Sequence, residues 1–159
     1  MKKDIRHYSF IQGCYLGFVF CLLTTIAYLH DPTLLFPTIN TYSIIFMSIQ
    51  FLYSFYVAKA AKKYIIIDSD KYNFKYYFSI CFLVMCTALL LVAIYIYLLY
   101  NFIDQTLIMQ YANFEYSKCL ESSVCNISFE ECLEIYKNDY FSMYGQFQAY
   151  VFSLIPCTL

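Results

Sequence analysis

The residues best equipped for chemistry lie together in one acidic stretch, 104–139. Three cysteines, Cys119, Cys125 and Cys132, share it with Glu115, Glu121, Glu130, Glu131, Glu134 and the tripeptide Asn126-Ile-Ser128. Asn-x-Ser accepts a glycan only on the lumenal side of the secretory route, and thiols in that compartment oxidise. Three thiols are an odd number, so one pair plus a free or intermolecular thiol is the simplest arithmetic, and spacing does not choose the pair. A structural zinc site wants four close ligands, and this stretch offers no histidine to complete one. Ser128-Phe-Glu-Glu131 has the form of a capping box, which predicts a short helix opening at Phe129.

Elsewhere, reactive groups are scarce. His7 and His30 stand at opposite ends of one apolar run, too far apart to share a haem or a metal. The chain has no glycine-rich phosphate loop, and its central apolar segments carry no Asp, Glu, Lys or Arg. Intramembrane enzymes and proton-coupled carriers usually need such groups. The expectation is a protein without catalysis and without cofactor. No basic stripe suggests nucleic acid.

The elements that must position the acidic stretch are apolar and long. Hydrophobic residues make up 62% of the 159-residue chain and charged residues 13%, against about 45–50% and about 25% in soluble domains. Residues 76–103 contain no charged residue, glycine or proline, and about 20 apolar residues suffice to cross a hydrocarbon core of about 30 Å. Residues 8–29 form a second uncharged run between Lys2, Lys3, Arg6 and Asp31. Thr25-x-Ala27 has the form of a signal-cleavage site, but the run exceeds the 7–15 residues of a signal core, which favours a retained helix. A third helix is expected over 41–58, ending at Lys59, Lys62 and Lys63. A fourth is expected over 141–158, although Gly145, Gln146, Gln148 and Pro156 weaken it; the alternative is a piece of a longer parent.

The charges sort by side. Eight of the ten basic residues fall before the first run or in 59–75, and eight of the eleven acids fall at Asp31 or in 104–139. By the positive-inside rule this places the N-terminus and loop 59–75 in the cytosol and loop 104–139 in the lumen or outside. The Asn126 sequon agrees independently. Tyr64-Ile-Ile-Ile67 fits a sorting pattern, though with 19 tyrosines in the chain such matches arise by chance.

Within the first run, Gly13-Cys-Tyr-Leu-Gly17 is a GxxxG, whose two glycines share a helix face and admit another backbone. It is read as a close-packing face used inside the bundle. Gln50, polar in mid-helix, is read as interhelical glue. Cys14, Cys21, Cys81 and Cys86 lie in apolar runs and serve as small packing groups.

The whole is an all-α membrane domain over 1–159, a four-helix bundle with a cysteine-bearing loop between helices three and four. Arg6-His-Tyr-Ser-Phe-Ile-Gln-Gly13, together with Ser48-Ile-Gln-Phe-Leu-Tyr-Ser-Phe55 running to a basic turn, resembles the lysosome-associated four-pass family and its arthropod relatives. The tetraspanin Cys-Cys-Gly and the claudin tryptophan are absent. The resemblance implies a non-enzymatic adaptor or organiser of endolysosomal or plasma membranes, with the bilayer and a membrane protein as partners. The alternative from composition is an accessory subunit of a channel, transporter or larger membrane complex.

Overall fold

The structure, a computed structural model, describes residues 3–36, 41–64, 74–121 and 127–154. Every regular element among them is helical. Three long helices come first: α1 (Lys3–His30), α2 (Thr41–Tyr64) and α3 (Phe74–Leu98). Each contains a stretch long and apolar enough to cross a membrane, Arg6–His30, Ile44–Ala61 and Tyr77–Ile103.

Their apolar residues are not gathered on one stripe, because a helix in lipid has apolar surroundings on every side. The buried face gathers small residues around a few large ones that point inward. On α1 it runs Ser9, Gly13, Leu16, Gly17, Phe20, Thr24 and Ala27, at spacings of three and four. On α3 it runs Ile80, Val84, Ala88 and Val92, one residue per turn. Large residues such as Phe10, Phe18, Phe51, Phe55 and Tyr56 point outward instead.

α1 packs mainly on α3, and the register shows the two to be parallel. Gly13 lies against Val84 and Thr87, and Gly17 against Ala88 and Leu91. Further along, Thr25 Oγ1 and Tyr95 Oη share a hydrogen bond of 2.6 Å. α2 runs the other way: Tyr53 Oη donates to Gln12 Oε1 at 2.8 Å, and Phe46 stacks on Phe20 with centroids 3.8 Å apart. This topology brings the helix ends that carry Arg6, Lys59, Lys62, Lys63 and Lys75 to one end of the trio, and Asp31 and Asp104 to the other.

Several boundaries differ from the sequence reading. α1 begins at Lys3 rather than 8, and α2 continues to Tyr64 rather than ending at 58. Lysine and alanine are good helix formers, so Lys59-Ala-Ala-Lys-Lys63 extends the helix beyond its apolar part. The expected loop 59–75 is shorter by that much, and its residues 65–73 lie outside the described part.

The stretch 104–139, expected as a loop holding one short helix, is mostly helical in its described residues, while 122–126 lie outside them. It holds α4 (Thr106–Glu121) and α5 (Phe129–Ile135), followed by a π turn, Tyr136–Tyr140. α6 (Met143–Leu154) covers twelve residues of the span expected over 141–158, and residues 155–159 lie outside the described part. It lies antiparallel along α3, with Tyr150 Oη donating to the Cys86 carbonyl at 3.3 Å.

Candidate functional site: the helical cap

The cap is built at the end of the trio where Asp31 and Asp104 stand. α3 does not stop cleanly there. It widens into a π turn, Leu99–Ile103, and Asp104 leaves the helical conformation with φ −141° and ψ 89°. π turns expose helix backbone and are frequent at functional positions. Asp104 then starts α4: its Oδ1 accepts from Thr106 Oγ1 at 2.6 Å and from Thr106 N at 3.0 Å. Its Oδ2 accepts from Tyr28 Oη of α1 at 2.8 Å. The Thr106 bond, then the Tyr28 bond, hold this carboxyl below the usual carboxylate range.

α1 contributes a second tie through the 3-10 turn Pro32–Leu35 that follows it. Asp31 caps this turn, accepting from Thr33 N at 2.9 Å and Thr33 Oγ1 at 2.7 Å. The turn delivers Phe36 into an aromatic cluster beneath the cap. There Tyr100 stacks on Phe141 with centroids 4.4 Å apart, and Tyr111 meets Tyr136 edge-on at 5.0 Å and Phe36 at 5.1 Å. Such pairs contribute about 0.5–1.5 kcal/mol each beyond their buried area. α4 enters the cluster with Leu107, Ile108, Tyr111 and Ala112, a stripe of helical spacing.

The two π turns meet at one amide. Asn101 Nδ2 donates to Tyr97 O at 3.0 Å within α3, and to Phe141 O at 2.9 Å across to the start of α6. Ser142 caps α6, its Oγ accepting from Gly145 N at 3.1 Å. Gly145 has no room for a side chain, because a Cβ would fall on the Asp139 carbonyl oxygen.

α5 is opened by the capping box anticipated from its sequence. Ser128 N donates to Glu131 Oε2 at 2.9 Å, and Glu131 N to Ser128 Oγ at 3.2 Å. α5 turns Cys132 inward, where its thiol is free and faces the Ala112 carbonyl of α4 at 3.9 Å. Burial, then Glu115, push this thiol up, so it is neutral and poorly nucleophilic at ordinary pH. Of the three cysteines considered for pairing, Cys132 is therefore unpaired, while Cys119 is disulfide-bonded. Cys125 and the sequon residue Asn126 lie outside the described residues. Burial, then Glu115, also raise the phenols of Tyr111 and Tyr140. The cap thus keeps its thiol and these phenols protonated. Its outer face carries Glu121, Glu130, Glu131 and Glu134, all exposed.

Between the end of α3, α4 and the α5 turn lies a cleft of about 330 Å³, walled by Asn101, Gln105, Thr106, Met109, Leu133 and Lys137. Nothing in the sequence reading singled out these residues. The signal that could have done so is Asp104-Gln-Thr106, a turn-forming sequence opening a helix-spaced apolar stripe.

The packing residues lie apart from the cap. Gly13 and Gly17 face α3, and Gln50 is buried on α2. One cross-helix hydrogen bond from α2 to α1 is that of Tyr53 to Gln12. Among the described residues, the buried Ser9 and Ser54 hydroxyl oxygens beside this seam have no hydrogen-bond partner. His7 and His30 fall at opposite ends of α1, about 35 Å apart along the helix.

A family model described as "Protein of unknown function (DUF4199)" matches residues 12–159, and the chain belongs to that family. No curated protein and no solved structure matches it.

Proposed function

We propose that this chain is an integral membrane protein acting by contact, an adaptor or organiser of endolysosomal or plasma membranes. In this reading the N-terminus and the lysine-rich end are cytosolic, and the cap stands on the lumenal or outer side with Asn126 glycosylated. α6, lying along α3, is the fourth membrane segment of a four-helix bundle. The cap is the recognition surface.

The observation that carries the proposal is the pairing of two features in the cap. Its inner side is closed by stacked aromatics and protonated groups. Its outer side presents four exposed glutamates on a rigid helical frame. A surface rich in carboxylates on a helical frame suits selection of a partner carrying the opposite charge.

The test has two parts on the expressed full chain. A glycosidase band shift that disappears in Asn126→Gln supports the lumenal placement; no shift in the wild type removes it. Purification in mild detergent beside the triple variant Glu121→Lys, Glu130→Lys, Glu134→Lys then tests the surface. A stoichiometric partner lost from the variant supports recognition by the cap, and a partner retained at equal yield removes it.

A second reading, an accessory subunit of a channel, transporter or larger complex, is favoured by α2. Its outer face carries Phe51, Phe55 and Tyr56, each more than 60% exposed. A large complex that survives the cap variant but dissociates on Phe51→Ala with Phe55→Ala supports this reading.

A further inference from the structure

The cleft beside the end of α3 has a depth, a charge and a set of free acceptors that together define a ligand. The third apolar stretch ends at Ile103, and the cleft walls begin at Asn101 and Gln105 on either side of that residue. Two residues of helix correspond to about 3 Å. The headgroup zone on each side of a bilayer is about 5–7 Å deep, so the cleft opens within it. Phe102 and Ile103 are 70% and 63% exposed and continue the lipid-facing surface to the cleft mouth.

The charge is carried by Lys137. The other lysine of the described cap is already engaged: Lys118 pairs with Glu115 at 3.0 Å and lies over the Phe114 ring. Lys137 has no ion pair among the described residues. Asp104, beneath the cap, is occupied by Thr106 and Tyr28, and Asp139, two residues after Lys137, makes no ion pair with it. Glu134, one turn before Lys137, is exposed.

The acceptors are the side-chain amides. Asn101 uses its donors on Tyr97 and Phe141, and Gln105 Nε2 donates to Asn101 O at 2.9 Å. Their carbonyl oxygens remain at the cleft wall as acceptors. An occupant must therefore bring a negative group for Lys137 and a donor for the amides. Met109 and Leu133 supply apolar wall beside them.

We infer that this cleft binds a phospholipid headgroup, with its phosphate on Lys137 and a headgroup hydroxyl or ammonium donating to Asn101 and Gln105. Phosphatidylglycerol and phosphatidylethanolamine satisfy both requirements; phosphatidylcholine has the phosphate but no donor. The inference rests on the membrane reading of the chain, and the experiment separates the two.

The full chain is purified in mild detergent, exposed to an equimolar mixture of dioleoyl-phosphatidylethanolamine and dioleoyl-phosphatidylcholine, and weighed by native mass spectrometry. The expected result is retention of the ethanolamine lipid over the choline lipid by about tenfold, lost in Lys137→Ala and kept in Lys137→Arg. Equal retention of the two lipids, or a Lys137→Ala protein that retains them as the wild type does, overturns the inference. Displacement by soluble glycerophosphoethanolamine at equal concentration overturns the lipid assignment in favour of a soluble phosphate ester. Partition of the wild type into the detergent phase is read in parallel. Failure to partition removes the membrane reading itself, whereas a partitioning protein without lipid preference removes only the cleft. Lys137 is exposed, so its variants fold, and their thermal unfolding is expected to match the wild type.

Discussion

Replacing Gly13 by alanine puts one methyl group where α1 meets α3. That methyl carbon would lie 2.5 Å from Thr87 Cβ and 2.9 Å from the Val84 carbonyl oxygen. Ordinary carbon contacts are about 3.5–4.0 Å, so the helices must separate locally by about 1 Å. Neither obstacle can swing aside. One is backbone, and the other is the root of a side chain whose hydroxyl is tied to Leu83 O at 2.9 Å. Overpacking of this kind costs about 1–3 kcal/mol. Alanine recovers about 0.5–1 kcal/mol of helix propensity, leaving a net loss of up to about 2.5 kcal/mol. Gly17→Ala should cost less, because its nearest obstacle at 2.8 Å is Leu91 Cδ1, the far end of a flexible side chain. Unfolding in mixed micelles with rising dodecyl sulfate, followed by circular dichroism, ranks the variants. Gly13→Ala as stable as the wild type, or more stable, would refute the close approach of α1 to α3. A changed oligomeric state at unchanged stability would move the glycine face to an interface between chains.

Other perturbations address the cap. Asn101→Leu removes the amide that joins the two π turns and leaves the Phe141 carbonyl without that donor. A loss of about 1–3 kcal/mol and earlier proteolysis between α5 and α6 are expected in a limited-digest time course. Asp104, with its carboxyl held low by Thr106 and Tyr28, stabilises the fold fully above its unfolded value of about 3.9. That contribution drains away as pH falls through the lower folded value, so the melting temperature should drop below about pH 4 more in the wild type than in Asp104→Asn. Cys132, raised by burial, should resist iodoacetamide at pH 8 in the folded protein and react at the ordinary thiol rate in denaturant. Peptide-level mass spectrometry reads this directly, and equal rates would place the thiol outside the cap interior.

The three long apolar helices were legible in the sequence because lipid demands length and composition, and both can be read from 76–103, 8–29 and 41–58 without knowing any contact. The glycine face was legible as a face but not as to its partner, since Thr87 and Ala88 are unremarkable in sequence. The cap was the part least visible. α4 carries Gln110, Asn113, Glu115 and Lys118 beside Leu107, Ile108, Tyr111 and Ala112, and its helical stripe was masked by reading the region as a polar loop. Capping chemistry is local, so the Ser128–Glu131 box could be predicted and is present. The junction of Asn101 with Phe141 joins residues forty apart in sequence and depends on two π turns, which no local pattern announces.

The parallel seating of α1 on α3 also sets an order of assembly. The glycines of α1 find their partners about 70 residues later in the chain. At about 5–20 residues per second of synthesis, that is a wait of some 4–14 s after α1 emerges. α2 arrives first, but it takes only the flank of α1 around Gln12 and Phe20. Until α3 is made, the growing chain therefore carries an open glycine seam. A chain halted after α2 would carry it permanently, able to adhere to whichever helix in the membrane offers a small-residue face.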